Sequence, residues 1–206
     1  MKLVVATRSA HKLAEIRTIL AVVPGLEVLD LNEAGVQWSP AEEELEPYET
    51  FEENAHSKAR YYQERTGLST VADDSGIAVD ALGGAPGVHS KRFAPAADLD
   101  GEARDKANNQ HLLHRLAGVP EASRTARYVC VAVMVTPGGD RVVCRGEAPG
   151  RILEEEQGTG GFGYDPLFFD PELGRTFGQI SPGAKHARSH RGKAFRALAR
   201  HLISES

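Results

Sequence analysis

The chain has 206 residues, 41% of them hydrophobic, which suffices for one large domain or two closely associated lobes with a sizeable core. Its formal net charge of −5 argues against binding a nucleic-acid polymer through a broadly basic surface. The N-terminus lacks a signal-peptide pattern, and no apolar run approaches the roughly 20 residues that a membrane-spanning helix needs. We therefore expect a soluble, cytoplasmic protein without a membrane partner.

The two cysteines, Cys130 and Cys144, lie in apolar runs that are typical of buried strands. Nothing around them matches a zinc-binding pattern. We therefore expect both to be reduced core residues, as is usual in a cytoplasmic protein.

The first stretch of the chain predicts a strand, a tight turn and a helix. Residues 3–6 are apolar, and from Ala10 the apolar positions recur at helical spacing, with Ser9 as the expected N-cap. The free N–H groups and the dipole of a helix N-terminus attract anions, and Lys12 lies one turn into this helix. Residues 7–12, the phosphate loop below, therefore form a candidate phosphate site, although they lack the glycines of a P-loop.

A glutamate-rich stretch leads into a second helix. Residues 27–31 are a candidate strand, and residues 39–49, the acidic loop, contain two prolines. Thr50 and Glu53 then form a capping-box pattern, which predicts a helix that runs to about Gln63. Asn54 and Lys58 are four residues apart and share one face of that helix.

Two adjacent carboxylates, Asp73 and Asp74, lie between the apolar runs 68–71 and 77–79. Carboxylates at the end of a buried strand are costly unless a positive group is bound, and such carboxylates hold Mg²⁺, which in turn holds phosphate. Ser75 and Gly76 follow at once, so we expect the backbone to turn tightly there and approach a ligand. Taken alone, the same four residues are also compatible with an acidic turn that ends a strand.

The second half of the chain alternates helical and strand patterns. Residues 103–116 predict a helix, and residues 127–135 predict a buried strand. A turn at residues 137–140 then leads to a hairpin partner at residues 141–147. We find no internal repeat and no linker, and we therefore expect one domain over residues 1–206.

Residues 158–166, the glycine-aromatic loop, contain four glycines, two aromatic residues and an aspartate. Its Phe162 could stack on a base, and Asp165 could hydrogen-bond a ring or a ribose.

The C-terminal segment, residues 181–203, is rich in lysine, arginine and histidine and predicts a helix at its end. Basic residues gathered locally in an acidic protein suit a small anionic ligand better than a polymer.

Five segments stand in an order that resembles the Ham1 family, the inosine triphosphate pyrophosphatases, over essentially the whole chain. They are residues 6–15, residues 50–59, residues 72–76, residues 162–166, and Lys185 with residues 189–191. The resemblance implies an elongated, two-lobed α/β fold with a long, twisted mixed sheet flanked by helices and an active site in the cleft. It also implies a homodimer that uses Mg²⁺ to hydrolyse ITP, dITP and XTP to the monophosphate and pyrophosphate, which removes them from the nucleotide pool.

The resemblance also implies roles for individual residues. Asp74 would be the catalytic proton acceptor and a metal ligand, and a second metal carboxylate would come from the acidic loop, with Glu42 and Glu46 among its candidates. The substrate would be bound by Thr7, Arg8, Ser9, Ala10, His11, Lys12, Lys58, Ser75, Phe162, Gly163, Tyr164, Asp165, Lys185, His190 and Arg191. The family usually has Asn where this chain has Ser9, and both residue types can cap a helix.

His190 and Arg191 are donors that suit the 6-oxo group of inosine or xanthosine. Adenine presents an amino donor at that position, so the same two side chains would reject ATP. Two other readings stay open: a nucleotide-binding sensor that has lost catalysis, and a Maf-type pyrophosphatase that acts on pyrimidine or modified nucleotides. A pyrophosphate-release assay separates the first from the Ham1 reading, and a panel of substrates separates the second.

Overall fold

The computed structural model describes residues 1–95 and 98–205 and shows an open, mixed β-sheet flanked by α-helices. Its strands are β1 Lys2–Val5, β2 Glu27–Leu29, β3 Ser69–Val79, β4 Thr125–Val135, β5 Arg141–Ile152, β6 Phe168–Asp170 and β7 Arg175–Thr176. Its α-helices are α1 Ala10–Leu20, α2 Phe51–Thr66, α3 Gly101–Arg115, α4 Pro182–Arg188 and α5 His190–Ser204.

The described strands form one sheet of seven strands in the order β2-β1-β3-β4-β5-β6-β7. Strand β1 runs parallel to β2 and to β3, whereas β6 runs antiparallel to both β5 and β7. The predicted α/β class with a mixed sheet flanked by helices is therefore confirmed.

The chain divides into two compact units. Unit 1 consists of Met1–Asp74, Cys130–Gly146 and His190–Ser206, and unit 2 consists of Ser75–Val129 and Glu147–Ser189.

Unit 1 has a core built from β1, β3, β4, α1 and α5. Helices α1 and α5 contact each other, and Ile16 and Phe195 are fully buried between strand residues such as Leu3 and Val71. Apolar side chains recur at helical spacing on α1 and in near-continuous runs on the strands, as elements buried on one or both faces require.

Unit 2 has an aromatic core. Phe168 lies 4.6 Å from the Tyr128 ring and 4.9 Å from the Phe177 ring, measured between centroids. Leu112 on α3 and Leu116, the C-cap of that helix, are fully buried in the same cluster. This cluster lies beneath the glycine-aromatic loop, because Tyr164 from that loop belongs to it.

The predicted helix starts are confirmed. Ser9 caps α1, and its hydroxyl accepts a hydrogen bond from the Lys12 N–H; Thr50 caps α2 by accepting from the Glu53 N–H at 3.2 Å. Gly67 ends α2 with φ of +65°, a left-handed conformation that glycine adopts without steric cost.

Two local predictions are wrong. The chain does not turn at Ser75 and Gly76, because β3 continues through them to Val79 as one eleven-residue strand. The acidic loop is also partly regular, since Pro40–Glu44 forms a 3₁₀ helix that Ser39 caps. Hydrogen bonding to the neighbouring strands outweighs the turn tendency of a single glycine.

None of the described helices is both long and apolar enough to cross a membrane. Cys130 and Cys144 are free and buried, as expected of reduced core residues.

Candidate active site

In unit 1, Asp73 accepts from two buried or half-buried cations. Lys12 from the first turn of α1 places its Nζ 3.2 Å from Asp73 Oδ2, and Arg191 from α5 places its Nε 3.4 Å from the same atom. The Cys130 Sγ also lies 3.8 Å from this oxygen. Burial alone would raise the pKa of Asp73, but the charges of Lys12 and Arg191 hold it well below its usual range.

Asp74, the next residue of β3, has a different environment. Its Oδ2 accepts from Asn54 Nδ2 at 3.1 Å, and Asn54 is itself fixed on α2 by bonds to the Tyr48 N–H and C=O. Burial, together with the nearby charge of Glu46, raises the pKa of Asp74 to about 6, although Lys58 opposes the shift. A carboxylate with this pKa is suited to accept a proton near neutral pH.

Glu46 and Lys58 form an ion pair beside these aspartates. Burial opposes the charged form of each, but their mutual attraction lowers the pKa of Glu46 and raises that of Lys58. The charges of Asp73 and Asp74 also act on Lys58. Unit 1 therefore gathers three carboxylates and two lysines, taken from β3, α1, α2 and the acidic loop.

The donors of this cluster fit a divalent cation that also binds phosphate. Mg²⁺ prefers oxygen ligands and is usually held by one or two protein carboxylates together with substrate phosphates. Asp74 and Glu46 supply two such carboxylates, and a bound cation would offset the burial that raises the pKa of Asp74. Within residues 1–95 and 98–205 there is no group of three or more His, Cys, Asp or Glu side chains that could enclose a metal ion by itself.

The phosphate loop has the form of a helix N-terminus. The Thr7 hydroxyl accepts from the Ser9 N–H at 3.2 Å, and the Ser9 hydroxyl accepts from the Lys12 N–H at 3.4 Å. Ala10 is the first helical residue, and both Ala10 and His11 are exposed. Ser9 thus acts as the cap, which is the function that it can share with the asparagine usual in the family.

In unit 2, Asp165 organises the glycine-aromatic loop. Its Oδ2 accepts from Lys185 Nζ at 2.5 Å and from the Phe162 N–H at 2.8 Å, while its Oδ1 accepts from the Tyr128 hydroxyl at 3.3 Å. The Lys185 ammonium also lies 4.4 Å from the centroid of the Phe162 ring, a cation–π distance. Lys185 and Asp165 are both buried, whereas Phe162 is half-buried.

Two further bonds and one glycine hold this loop in place. The Gly163 N–H donates to Asp105 Oδ2 at 2.7 Å, and the Tyr164 hydroxyl donates to the Ser90 carbonyl at 2.8 Å. Gly161 has φ of +75°, and a Cβ at this position would lie 2.0 Å from Asp165 Oδ2. Only glycine therefore allows the Asp165 carboxylate to close the loop.

Comparison with known proteins places this site in a family. Residues 3–201 match the Ham1 family. The chain belongs to the Ham1 family. It is 48% identical over 197 residues to a dITP/XTP pyrophosphatase from Nitratidesulfovibrio vulgaris, which covers 95% of this chain and 93% of that protein. It is 47% identical over 199 residues to a dITP/XTP pyrophosphatase from Nocardia farcinica, which covers 96% and 92%.

The structure of this Ham1 protein is also similar to solved structures. A HAM1 protein from Coxiella burnetii superposes with a TM-score of 0.86 at 34% identity, over 100% of both chains. The sheet and helices that carry the candidate site are therefore those of the family.

The environment of Arg191 differs from the one that the sequence of this Ham1 protein suggested. Arg191 was expected to donate to the 6-oxo group of the base, but it is 2% exposed and its Nη1 donates to Glu15 Oε2 at 2.6 Å, while its Nε donates to Asp73. Both ends of the guanidinium thus bind carboxylates of unit 1. His190, the first residue of α5, is also buried.

Arg8 and Glu42 pair with each other, and their predicted roles in binding phosphate and metal stay predictions. Arg8 was expected to bind phosphate and Glu42 to bind metal, but the structure pairs them through two hydrogen bonds of 3.0 and 2.7 Å. Glu46 is the better candidate for the second metal ligand, because its charge acts directly on Asp74 whereas Glu42 is held by Arg8. Ser75 follows Asp74 on β3 and is half-buried.

No role was predicted from the sequence for four residues that hold the charged cluster of unit 1 or the glycine-aromatic loop of unit 2. Asn54 shares a helix face with Lys58, and that spacing was the one signal that could have connected it with Asp74. Glu15, Asp105 and Tyr128 left no such signal, since each reaches its partner across 37 or more residues of the chain.

Proposed function

We propose that this Ham1 protein hydrolyses non-standard purine nucleoside triphosphates, namely dITP, XTP and ITP, to the monophosphate and pyrophosphate. The main support is the cluster of carboxylates and lysines in unit 1. The chain is also 45–48% identical to four proteins named dITP/XTP pyrophosphatase over at least 95% of its length. Carboxylates for a cation and a base, with lysines for phosphate oxygens, are the groups that this hydrolysis needs.

Asp74 and Glu46 would hold Mg²⁺, which when bound supplies positive charge to the triphosphate and orients its oxygens. The hard oxygen donors of these two side chains suit that ion. Asn54 supports this role, because its bond to Asp74 Oδ2 fixes the orientation of that carboxylate on β3.

The chemical step assigns one function to each charged group. Asp74 accepts the proton of a water molecule as the water oxygen bonds to the α-phosphorus, and the bond from that phosphorus to the bridging oxygen breaks. Lys12 and Lys58 donate to the phosphate oxygens and stabilise the charge that develops on the departing pyrophosphate. Asp73, paired with Lys12 and Arg191, fixes the lysine next to the catalytic aspartate.

The base is assigned to the glycine-aromatic loop of unit 2. Phe162 offers a half-buried ring on which a purine can stack, and the buried Lys185–Asp165 pair holds the loop that carries it. Gly163, Tyr164 and Asp165 then act mainly by shaping the loop. A donor from His190 to the 6-oxo oxygen stays a prediction.

A substrate panel tests this function directly. Pyrophosphate release is measured with ITP, dITP, XTP, GTP, ATP and dUTP, each with and without Mg²⁺. We expect turnover of the first three nucleotides only, and only with Mg²⁺. Turnover of dUTP but not of ITP would contradict the proposal in favour of a pyrimidine nucleotide, and no turnover at all would favour a nucleotide-binding sensor.

We also propose that the protein acts as a homodimer in the cytoplasm. The family resemblance supports the dimer, and the free, buried Cys130 and Cys144 suit a reducing compartment. Analytical ultracentrifugation at micromolar concentration is expected to give twice the 22.2 kDa mass of one chain. Sedimentation as a 22.2 kDa particle would contradict the dimer.

A further inference from the structure

The Arg8–Glu42 pair joins the phosphate loop to the acidic loop. Arg8 donates from Nε to Glu42 Oε2 at 3.0 Å and from Nη2 to Oε1 at 2.7 Å, the two-point geometry that makes arginine–carboxylate pairs strong. The same guanidinium donates to the Val36 carbonyl at 3.3 Å and to Asn32 Oδ1 at 3.4 Å. Arg8 therefore contacts three separate points of the segment that precedes α2.

Glu42 connects this contact to α2 as well. The Tyr62 side chain of α2 lies close enough to Glu42 for each to shift the pKa of the other, and the Ser39 N–H donates to Glu42 Oε1 at 3.2 Å. Burial would raise the pKa of Glu42, but Arg8 and the nearby Tyr62 hydroxyl lower it, so the carboxylate stays charged near neutral pH. The Glu42 side chain is only 8% exposed.

The position of Glu46 depends on this attachment. Glu42 lies in the 3₁₀ helix Pro40–Glu44, Leu45 caps that helix and is buried, and Glu46 follows at once. A displacement of Pro40–Glu44 therefore moves the carboxylate that pairs with Lys58 beside Asp74. Nothing in this chain of contacts requires Arg8 to touch the triphosphate.

We propose that Arg8 and Glu42 are positioning residues: their pair holds the acidic loop against the phosphate loop, so that Glu46 reaches the candidate metal site. The activity readout of this inference rests on the proposed function, whereas its structural readout does not. Arg8 then affects metal use through Glu42 and Glu46, and Glu42 contributes without binding the metal itself.

Trp38 supplies the structural readout. It is the only tryptophan of the chain, it directly precedes the acidic loop, and it is 60% exposed. In metal-free Arg8→Ala, we expect faster acrylamide quenching and lower fluorescence anisotropy of Trp38 than in the wild type, because the loop is released. Arg60→Ala is the matched control, since it removes an exposed arginine that pairs with Glu64 on α2.

Activity measurements on the wild type, Arg8→Ala, Glu42→Ala and the combined variant form a double-mutant cycle. We expect Arg8→Ala to raise the Mg²⁺ concentration for half-maximal activity by about tenfold, the usual scale for losing a residue that supports a metal ligand. In the Glu42→Ala background, Arg8→Ala should add much less than in the wild type, because the Arg8–Glu42 contact is already lost and only the longer bonds to Val36 and Asn32 remain to be broken.

Two results would overturn the inference. If Arg8→Ala raises the KM for ITP equally in both backgrounds and leaves Trp38 quenching unchanged, Arg8 binds the triphosphate directly. If Arg8→Ala changes neither the Mg²⁺ requirement nor Trp38 quenching, the pair positions nothing. Should the wild type release no pyrophosphate at all, the proposed function fails, and the Trp38 comparison still decides on the pair.

Discussion

The phosphate-side cluster of unit 1 and the glycine-aromatic loop of unit 2 are built by different means. In unit 1, most of the key side chains lie on regular elements, with Asp73 and Asp74 on β3 and Lys58 on α2, and ion pairs hold Asp73 and Lys58. In unit 2, an irregular loop is closed on itself by one buried carboxylate, Asp165, which accepts from the backbone and from Lys185.

This difference fits the proposed function, in which unit 1 binds the triphosphate and the loop of unit 2 binds the base. A triphosphate is highly charged, so its site needs charges fixed in space by rigid elements. A base is flat and nearly uncharged, so its site needs an accessible ring, which the half-buried Phe162 can provide, on a loop that Gly161 allows to close on Asp165. We therefore expect substitutions in unit 1 to affect all triphosphates alike, and substitutions in the loop to affect the choice of base.

The largest effect is expected from Asp74→Asn. The change removes the proton acceptor and a metal charge but keeps the shape, and we expect kcat to fall by the order of 10²–10⁴-fold for every accepted nucleotide. Asp80→Asn is the control, since Asp80 is exposed and binds Thr125 and Arg127. Near-normal turnover of Asp74→Asn would contradict the assignment of the chemical step to unit 1.

Arg191→Ala is expected to cost about 3–5 kcal/mol of unfolding free energy, because it removes a cation that the buried Glu15 and Asp73 share and leaves Asp73 with Lys12 alone. The ratio of kcat/KM for ITP to that for ATP should stay unchanged, since Arg191 belongs to the phosphate-side cluster. Denaturant titration measures the free energy of unfolding, and steady-state kinetics measures kcat/KM for ITP and for ATP. Arg200→Ala is the control, because Arg200 is exposed. If the ITP to ATP ratio of kcat/KM falls while the free energy of unfolding is unchanged, Arg191 contacts the base, as its sequence motif suggested.

Gly161→Ala tests the loop of unit 2. A methyl group there meets the Asp165 carboxylate and forces an L-residue to φ of +75°, so we expect the Lys185 pair and the Phe162 ring to shift. The expected loss is about 10–100-fold in kcat/KM for ITP, with a smaller loss for ATP. Gly183→Ala is the matched control, because a Cβ on Gly183 meets nothing within 4 Å. Equal losses for both nucleotides would contradict the assignment of base selection to this loop.

The smallest effect is expected from Lys12→Ala. Loss of one charge-assisted contact to phosphate should lower kcat/KM for ITP and for XTP by about tenfold each, with their ratio preserved. Steady-state kinetics with both substrates measures this. A strong change in the ITP to XTP preference at unchanged overall affinity would show that Lys12 senses the base.

The sequence predicted best what depends on neighbouring residues. The caps at Ser9 and Thr50 were recognised because each interaction spans three residues, and both helices begin where predicted. The turn at Ser75 and Gly76 failed for the opposite reason, since the continuation of β3 is decided by strands that are distant in the chain.

The same contrast between local and long-range interactions applies to the candidate site. Residue types and order identified the participants, but their partners are set by tertiary contacts: Arg191 reaches Asp73 across 118 residues and Arg8 reaches Glu42 across 34. A motif therefore indicated that Arg191 belongs to the site, while only the fold reveals that its partners are carboxylates.

The central claim is that unit 1 directs water to the α-phosphorus. Its most direct test is ³¹P NMR of the products formed from ITP by the wild-type protein with Mg²⁺. We predict inosine monophosphate and pyrophosphate as the first and only products. Appearance of inosine diphosphate and orthophosphate would show attack at the γ-phosphorus and contradict the account.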